Sequence, residues 1–185
     1  MALTESNMLE LGTEAPYFNL PDVVRGENQS IDEVASEVAT VIMFWCNHCP
    51  YVIHVTDKVI ELAKTYQEKG VSFVAISSND VENYPQDGPE QMRKLALEKD
   101  YPFPYLYDAT QNVAKDYDAA CTPDFYVFDG DRVLVYRGQL DGSRPGNNVP
   151  LTGEALKEAL DAILNREPIS PIQRPSAGCN IKWKK

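Results

Sequence analysis

Basic residues are scarce in this chain: 17 Lys and Arg stand against 28 Asp and Glu, a formal net charge of -11. Neutralising phosphates takes clustered cations, so nucleic acid and anionic membrane surfaces are not expected partners. The one basic cluster, Lys182, Lys184 and Lys185, is too small to reverse that balance and reads as a solvated tail. Long apolar runs are missing as well. No eighteen apolar residues run together, and MALTESNMLELGTEAPYF lacks the basic and then apolar order of a secretion signal. A soluble cytoplasmic protein is therefore expected. Cysteine is also sparse, with four in 185 residues, too few for a disulfide scaffold. In a reducing compartment, two cysteines separated by two residues read as a catalytic or metal-binding pair and not as a staple. What remains is an ordinary composition, 43% hydrophobic and 24% charged, that fits a single domain over residues 1–185.

The hydrophobic pattern orders the elements. ATVIMFW, Ala39 to Trp45, is a nearly continuous apolar run and predicts a strand buried on both faces. Directly after the stretch FWCNHCPYV, a helical stripe follows with Val52, Val55, Val59, Leu62, Ala63 and Tyr66 on one face and Gly70 as its stop. VSFVAISS predicts a second buried strand, so that strand, helix and strand form a right-handed parallel unit. GPEQMRKLALEKD reads as a helix, PYLYD as a short strand and TQNVAKDYDA as a further helical piece. TPDFYVFD and RVLVYRGQL are separated by Gly130-Asp131, a hairpin signal that makes these strands antiparallel. TGEALKEALDAILNR adds a closing helix with Leu156, Leu160, Ile163 and Leu164 turned inward. Ahead of this core, residues 1–35 predict an extension with a hairpin, and residues 168–185, with prolines 168, 171 and 175, an extended surface tail. The whole predicts an α/β protein with a central mixed sheet flanked by helices, in the thioredoxin arrangement.

Cys46 and Cys49 stand where the central strand gives way to the helix. If Cys46 occupies the first helical turn, Cys49 lies on the same face and the two sulfurs can meet. The unsatisfied amides and dipole of a helix N-terminus then favour a thiolate at Cys46, with Cys49 as the resolving thiol. His48, with Asn47 beside it, is placed to tune the redox potential of the pair. Pro50 suits a helix start, where its missing N–H costs no hydrogen bond. Far downstream, Cys121-Thr122-Pro123 precedes a strand, and a cis-proline at that point faces the dithiol.

Several segments together carry a resemblance: LGTEAPYFNLPDV, FWCNHCPYV, SNDVENYPQDGPEQM, AACTPDFYVFD, LVYRGQLDGSRPGN and PSAGCNIKWKK. Over nearly its whole length the chain resembles the thioredoxin superfamily, and within it the redoxins related to alkyl hydroperoxide reductase and thiol-specific antioxidant proteins. The resemblance implies a thioredoxin-like fold and thiol-disulfide chemistry at Cys46 and Cys49. It also implies a cis Thr122-Pro123 peptide, with the Thr122 backbone pairing with an extended substrate. Trp45, beside the nucleophile, reads either as a border of the substrate groove or as a core residue. Two departures stand out. Ala39 and Met43 occupy the places where peroxidase members carry Pro and Thr, which removes a peroxide-polarising hydroxyl. Thr40 replaces the buried acid of thioredoxins, so another group must move the proton of Cys49.

The expected activity is thiol-disulfide exchange with a protein or small-molecule disulfide, using the Cys46-Cys49 couple with no other cofactor and no metal. The alternatives are a peroxiredoxin-like thiol peroxidase and a redox-inactive or metal-binding module, the latter built from Cys46, His48, Cys49 and Cys121. Cys121 and Cys179 are candidates for an auxiliary role, either as a second disulfide or as a relay to Cys49, although Cys121 also reads as a small buried hydrophobe. His54, Arg137 and Arg144 read as helix and loop residues outside the chemistry.

Overall fold

A computed structural model describes residues 3–185. Its centre is a five-stranded sheet built on β4 (Ala39–Phe44). On one side β4 pairs in parallel with β5 (Val71–Ser77), which pairs in parallel with β6 (Tyr105–Tyr107). On its other side β4 pairs antiparallel with β8 (Asp124–Asp129), which turns through Gly130-Asp131 into β9 (Leu134–Gly138). All six residues of β4 are buried, because the sheet is covered on both faces.

Alternation along the strands divides the core in two. Val41 and Met43 of β4, Phe73 and Ala75 of β5 and Phe125 and Val127 of β8 face one layer. There they meet α2 (Pro50–Gln67), α3 (Pro89–Glu98) and α5 (Glu154–Asn165). Ile42, Phe44, Val74, Ile76, Tyr126 and Phe128 face the other layer, with Phe18, α1 (Ile31–Val34) and α4 (Asn112–Asp116). The six stripe residues of α2 are all buried, and Leu156 and Leu160 of α5 are buried with Ile163 and Leu164 packed at the margin. Within the N-terminal extension, β2 (Asn19–Pro21) and β3 (Asn28–Ser30) form an antiparallel hairpin.

The tail departs from expectation. Residues 168–175 run without regular structure, but Ala177–Asn180 forms a strand, β10, in which Gly178 and Cys179 are buried. It lies between β1 (Leu3–Glu5) and the two-residue strand β7 (Cys121–Thr122), antiparallel to both. Lys182 is correspondingly not a solvated charge: it is 6% exposed, and its Nζ donates to the backbone carbonyl and Oδ1 of Asn180. The sequence pattern of this segment, proline-rich and then a single short apolar stretch, hides the strand because its partners lie at the far end of the chain and beside Pro123. Two glycines admit it. A Cβ on Gly138, whose φ is +128°, would stand 2.0 Å from the carbonyl oxygen of Arg174, and one on Gly178 would stand 2.0 Å from that of Thr122.

Candidate active site

Strand β4 ends at Phe44, and the Trp45 amide still donates to Ile76 O before the chain leaves the sheet. Residues 46–49 form a loop, and α2 begins at Pro50 with Cys49 as its N-cap. This shifts the expected geometry by most of a turn. Cys46 precedes the helix and Cys49 sits at its N-terminus, where amides without intrahelical partners favour negative charge.

The thiols follow that placement. Cys49 is held below the ordinary thiol range, first by the hydrogen bond it accepts from Cys46, then by the contact with the Cys179 thiol and the N–H groups of Val52 and Cys179, all against the opposing cost of burial. Cys46 is pushed up because it donates to Cys49, because it is buried and because Asp87 is near. The group held low is the one at the helix N-terminus, Cys49, whereas the expectation set the helix start, and with it the favoured charge, at Cys46.

One carboxylate shapes the loop from outside. Asp87, at the end of a short 3-10 turn (Pro85–Asp87), is fully buried. Its Oδ1 accepts the amides of Asn47 (2.8 Å) and His48 (3.3 Å), and its Oδ2 accepts from Asn79 Nδ2 at 2.8 Å. His48 Nδ1 lies 2.6 Å from Oδ2 as well, although no hydrogen bond to this nitrogen is well aligned, and the imidazole stacks on Tyr84 at 5.7 Å between centroids. Asn47 does not reach the sulfurs: its amide donates to Gln86 O (2.8 Å) and accepts from Tyr105 OH (3.0 Å), so it fastens the loop instead of tuning the thiols. In the sequence, Asp87 sits in the polar segment SNDVENYPQDGPEQM. Its several acids look alike in one dimension, and only the fold singles out Asp87.

The Thr122-Pro123 peptide is cis. Thr122 Oγ1 lies 3.4 Å from Cys46 Sγ, and Thr122 O accepts from Cys49 Sγ at 3.2 Å. The strand edge of Thr122 is not open to a substrate as expected, since β10 pairs with it and sets Cys179 opposite Thr122. Trp45 is likewise no groove wall. It is wholly buried, packs edge-on against Phe125 and donates from Nε1 to Tyr101 OH at 3.2 Å.

The auxiliary cysteines part company. Cys179 Sγ is 2.6 Å from Cys49 Sγ. Cys121, one residue from Thr122 on a strand and so pointing to the opposite side, contacts Pro123 O at 3.8 Å, and burial raises its thiol. A Cys121-Cys179 disulfide does not match this register, in which Cys121 faces Asn180.

Cys46, His48 and Asp87 form the one group of three donors among the described residues close enough to hold a cation, their ligand atoms all lying within 4.8 Å of one another. The fit is poor, because the Asp87 oxygens already accept from Asn47, His48 and Asn79. Cys49 and Cys121 do not join this group. Thr40 is far from the sulfurs, at the opposite end of β4, and is bonded to Ser36 N and Ser72 Oγ. His54 contacts Ser143 Oγ at 2.8 Å, while Arg137 and Arg144 donate to nearby carbonyl and amide oxygens, among them Leu9 O and Asp141 O.

No helix among the described residues is long and apolar enough to cross a membrane. Among solved structures, the chain is similar to an uncharacterized conserved protein from Geobacillus kaustophilus, with 59% identity, a TM-score of 0.98 and coverage of 100% of this chain and 97% of that one. A thiol:disulfide interchange protein of the thioredoxin family from Chlorobium tepidum shares the fold, at a TM-score of 0.63 and 16% identity over 84% of this chain and 98% of its own. Among curated proteins, the thiol-disulfide oxidoreductase ResA of Bacillus thuringiensis subsp. konkukian is 22% identical over 88% of this chain and 82% of its own length. The fold is thioredoxin-like. The model of the AhpC/TSA family matches residues 11–137, and the chain belongs to that family.

Proposed function

We propose that this protein is a thiol-disulfide oxidoreductase in which Cys46 attacks the disulfide of a protein or small-molecule partner and Cys49 resolves the mixed disulfide. The observation that carries the reading is the placement of the pair, buried where β4 gives way to α2 and set against the cis Thr122-Pro123 peptide. Cys46 Sγ lies 3.4 Å from Thr122 Oγ1, and Cys49 Sγ, at the helix N-terminus, donates to Thr122 O at 3.2 Å.

Cys46 loses its proton, and its thiolate attacks one sulfur of the substrate disulfide. A Cys46-substrate disulfide forms and one substrate thiolate leaves. That thiolate takes up a proton, Cys49 loses its own, and the Cys49 thiolate then attacks Cys46 Sγ. The second substrate thiolate departs, and the protein is left with a Cys46-Cys49 disulfide. The resting form in a reducing compartment, the cytoplasm of the sequence reading, is the dithiol.

Trapping decides the assignment. Cys49→Ser incubated with a disulfide such as 5,5'-dithiobis(2-nitrobenzoate) should hold one covalent adduct on Cys46 and release one thiol equivalent. An adduct that maps elsewhere, or prompt release of two equivalents, would sink the reading.

A further inference from the structure

Cys49 has two sulfur neighbours, and only one of them belongs to the reaction just described. Cys179 Sγ lies 2.6 Å from Cys49 Sγ, about 0.5 Å beyond the length of a covalent S–S bond of ~2.05 Å. The approach is built into the backbone. Strand β10 pairs with β7 in the register Cys179 to Thr122 and Asn180 to Cys121, and the carbonyl of Thr122 takes the space a side chain at Gly178 would need. The Ser176 hydroxyl donates to Pro123 O from the preceding turn. On the far side, Lys182 N donates to Asn79 Oδ1 and Asp80 N donates to Lys182 O, which ties the tail to the loop that carries Asp87. The tail therefore lies where an extended substrate would pair with Thr122, and it presents a cysteine to the dithiol.

We propose that Cys179 is a third redox cysteine, an internal substrate that takes over the disulfide from Cys46 by forming a Cys49-Cys179 bond. The proposal rests on the dithiol chemistry above and extends it. In the oxidised protein, Cys179 loses its proton and its thiolate attacks Cys49 Sγ. The Cys49-Cys179 bond forms, the Cys46-Cys49 bond breaks, and the electron pair leaves on Cys46, which recovers a proton. No electron enters or leaves, so the exchange needs no further oxidant. Its consequence is that Cys46 becomes a thiol again while the protein stays oxidised. In the dithiol form, burial and then the Cys49 sulfur hold the Cys179 thiol above its ordinary range, with Lys182 working in the opposite direction; once Cys49 is in the disulfide, burial remains as the cause. The exchange should accordingly quicken as pH rises.

Peptide mapping after stoichiometric oxidation with diamide, acid quenching and alkylation tests this. Trypsin leaves Cys46 and Cys49 on one peptide, residues 26–58, with Cys179 on another. The wild-type protein should yield the two peptides cross-linked, in a fraction that grows with incubation time. Cys46→Ser should yield the same cross-link almost completely, and Cys46→Ser with Cys179→Ala should yield none. Should Cys46→Ser remain fully alkylated at Cys49 and Cys179, or the wild type retain only a bridge within residues 26–58, the third-cysteine proposal falls and the dithiol reading stands. If wild-type protein forms neither bridge, both fall. Far-UV circular dichroism of each variant confirms that the fold persists, and the wild-type map stands without any substitution.

Discussion

Two flanks enclose the Cys46-Cys49 dithiol, and they use opposite chemistry. On the outer flank, a buried carboxylate, Asp87, gathers the amides of Asn47 and His48 and faces the imidazole. On the inner flank, the final strand brings a thiol against Cys49 and backbone against Thr122. The outer flank fixes the shape of the loop and disfavours charge on Cys46. Its inner counterpart favours charge on Cys49. The largest influence on each thiol is the other, and the two flanks add to it.

The largest expected effect comes from breaking the pair itself: Cys49→Ser should abolish turnover in a disulfide reduction assay while leaving single-adduct formation at Cys46. Next comes the outer flank. Asp87→Ala leaves the buried amides of Asn47 and His48 and the side chain of Asn79 without their acceptor, and should cost roughly 3 kcal/mol in urea unfolding. Asp87→Asn keeps a carbonyl acceptor but removes the charge, so iodoacetamide should modify Cys46 faster at neutral pH than in the wild type.

On the inner flank, Cys179→Ala removes the sulfur beside Cys49 that helps hold its proton affinity down. The lowered proton affinity of Cys49 should relax upward, and its alkylation should begin at higher pH. Stability should fall by about 1 kcal/mol, the scale of one lost hydrogen bond. A smaller and separate effect tests whether burial near β7 carries a pH signature. Asp124 is fully buried and held at about 7 by that burial, against the hydrogen bonds from Ser6 and Tyr126. Its affinity for a proton is higher folded than unfolded, so the stability it contributes is present below about pH 4, the carboxylate's unfolded value, and declines as pH rises to about 7. Asp124→Asn should flatten unfolding midpoints across that interval. A slope that survives the substitution would assign the pH dependence to another group.

How much of this was legible in the sequence differs between the same two flanks. The parallel unit, the hairpin at Gly130-Asp131 and the position of the dithiol between strand and helix follow from hydrophobic period and punctuation, because those signals are local. Helix start was misjudged by three residues: Pro50 marks N1, and reading it so would have made Cys49 the cap. Asp87 was hidden among the acids of a polar loop, and Trp45 looked like a groove residue because aromatic character alone does not separate core from surface. Cys179 had the least to announce it. A four-residue strand whose partners are residues 3–5 and 121–122 leaves no periodic trace, and only the assembled sheet explains its glycine and cysteine.

The separation of Cys49 and Cys179 along the chain, 130 residues, has a thermodynamic consequence. A bond between Cys46 and Cys49 closes a very small ring and scarcely limits the unfolded chain. One between Cys49 and Cys179 ties most of the molecule into a single loop, which by chain-entropy arguments stabilises the fold by about 5 kcal/mol. Disulfide exchange at this site would then be written into the melting temperature, and a thermal scan could distinguish the two oxidised isomers of identical mass.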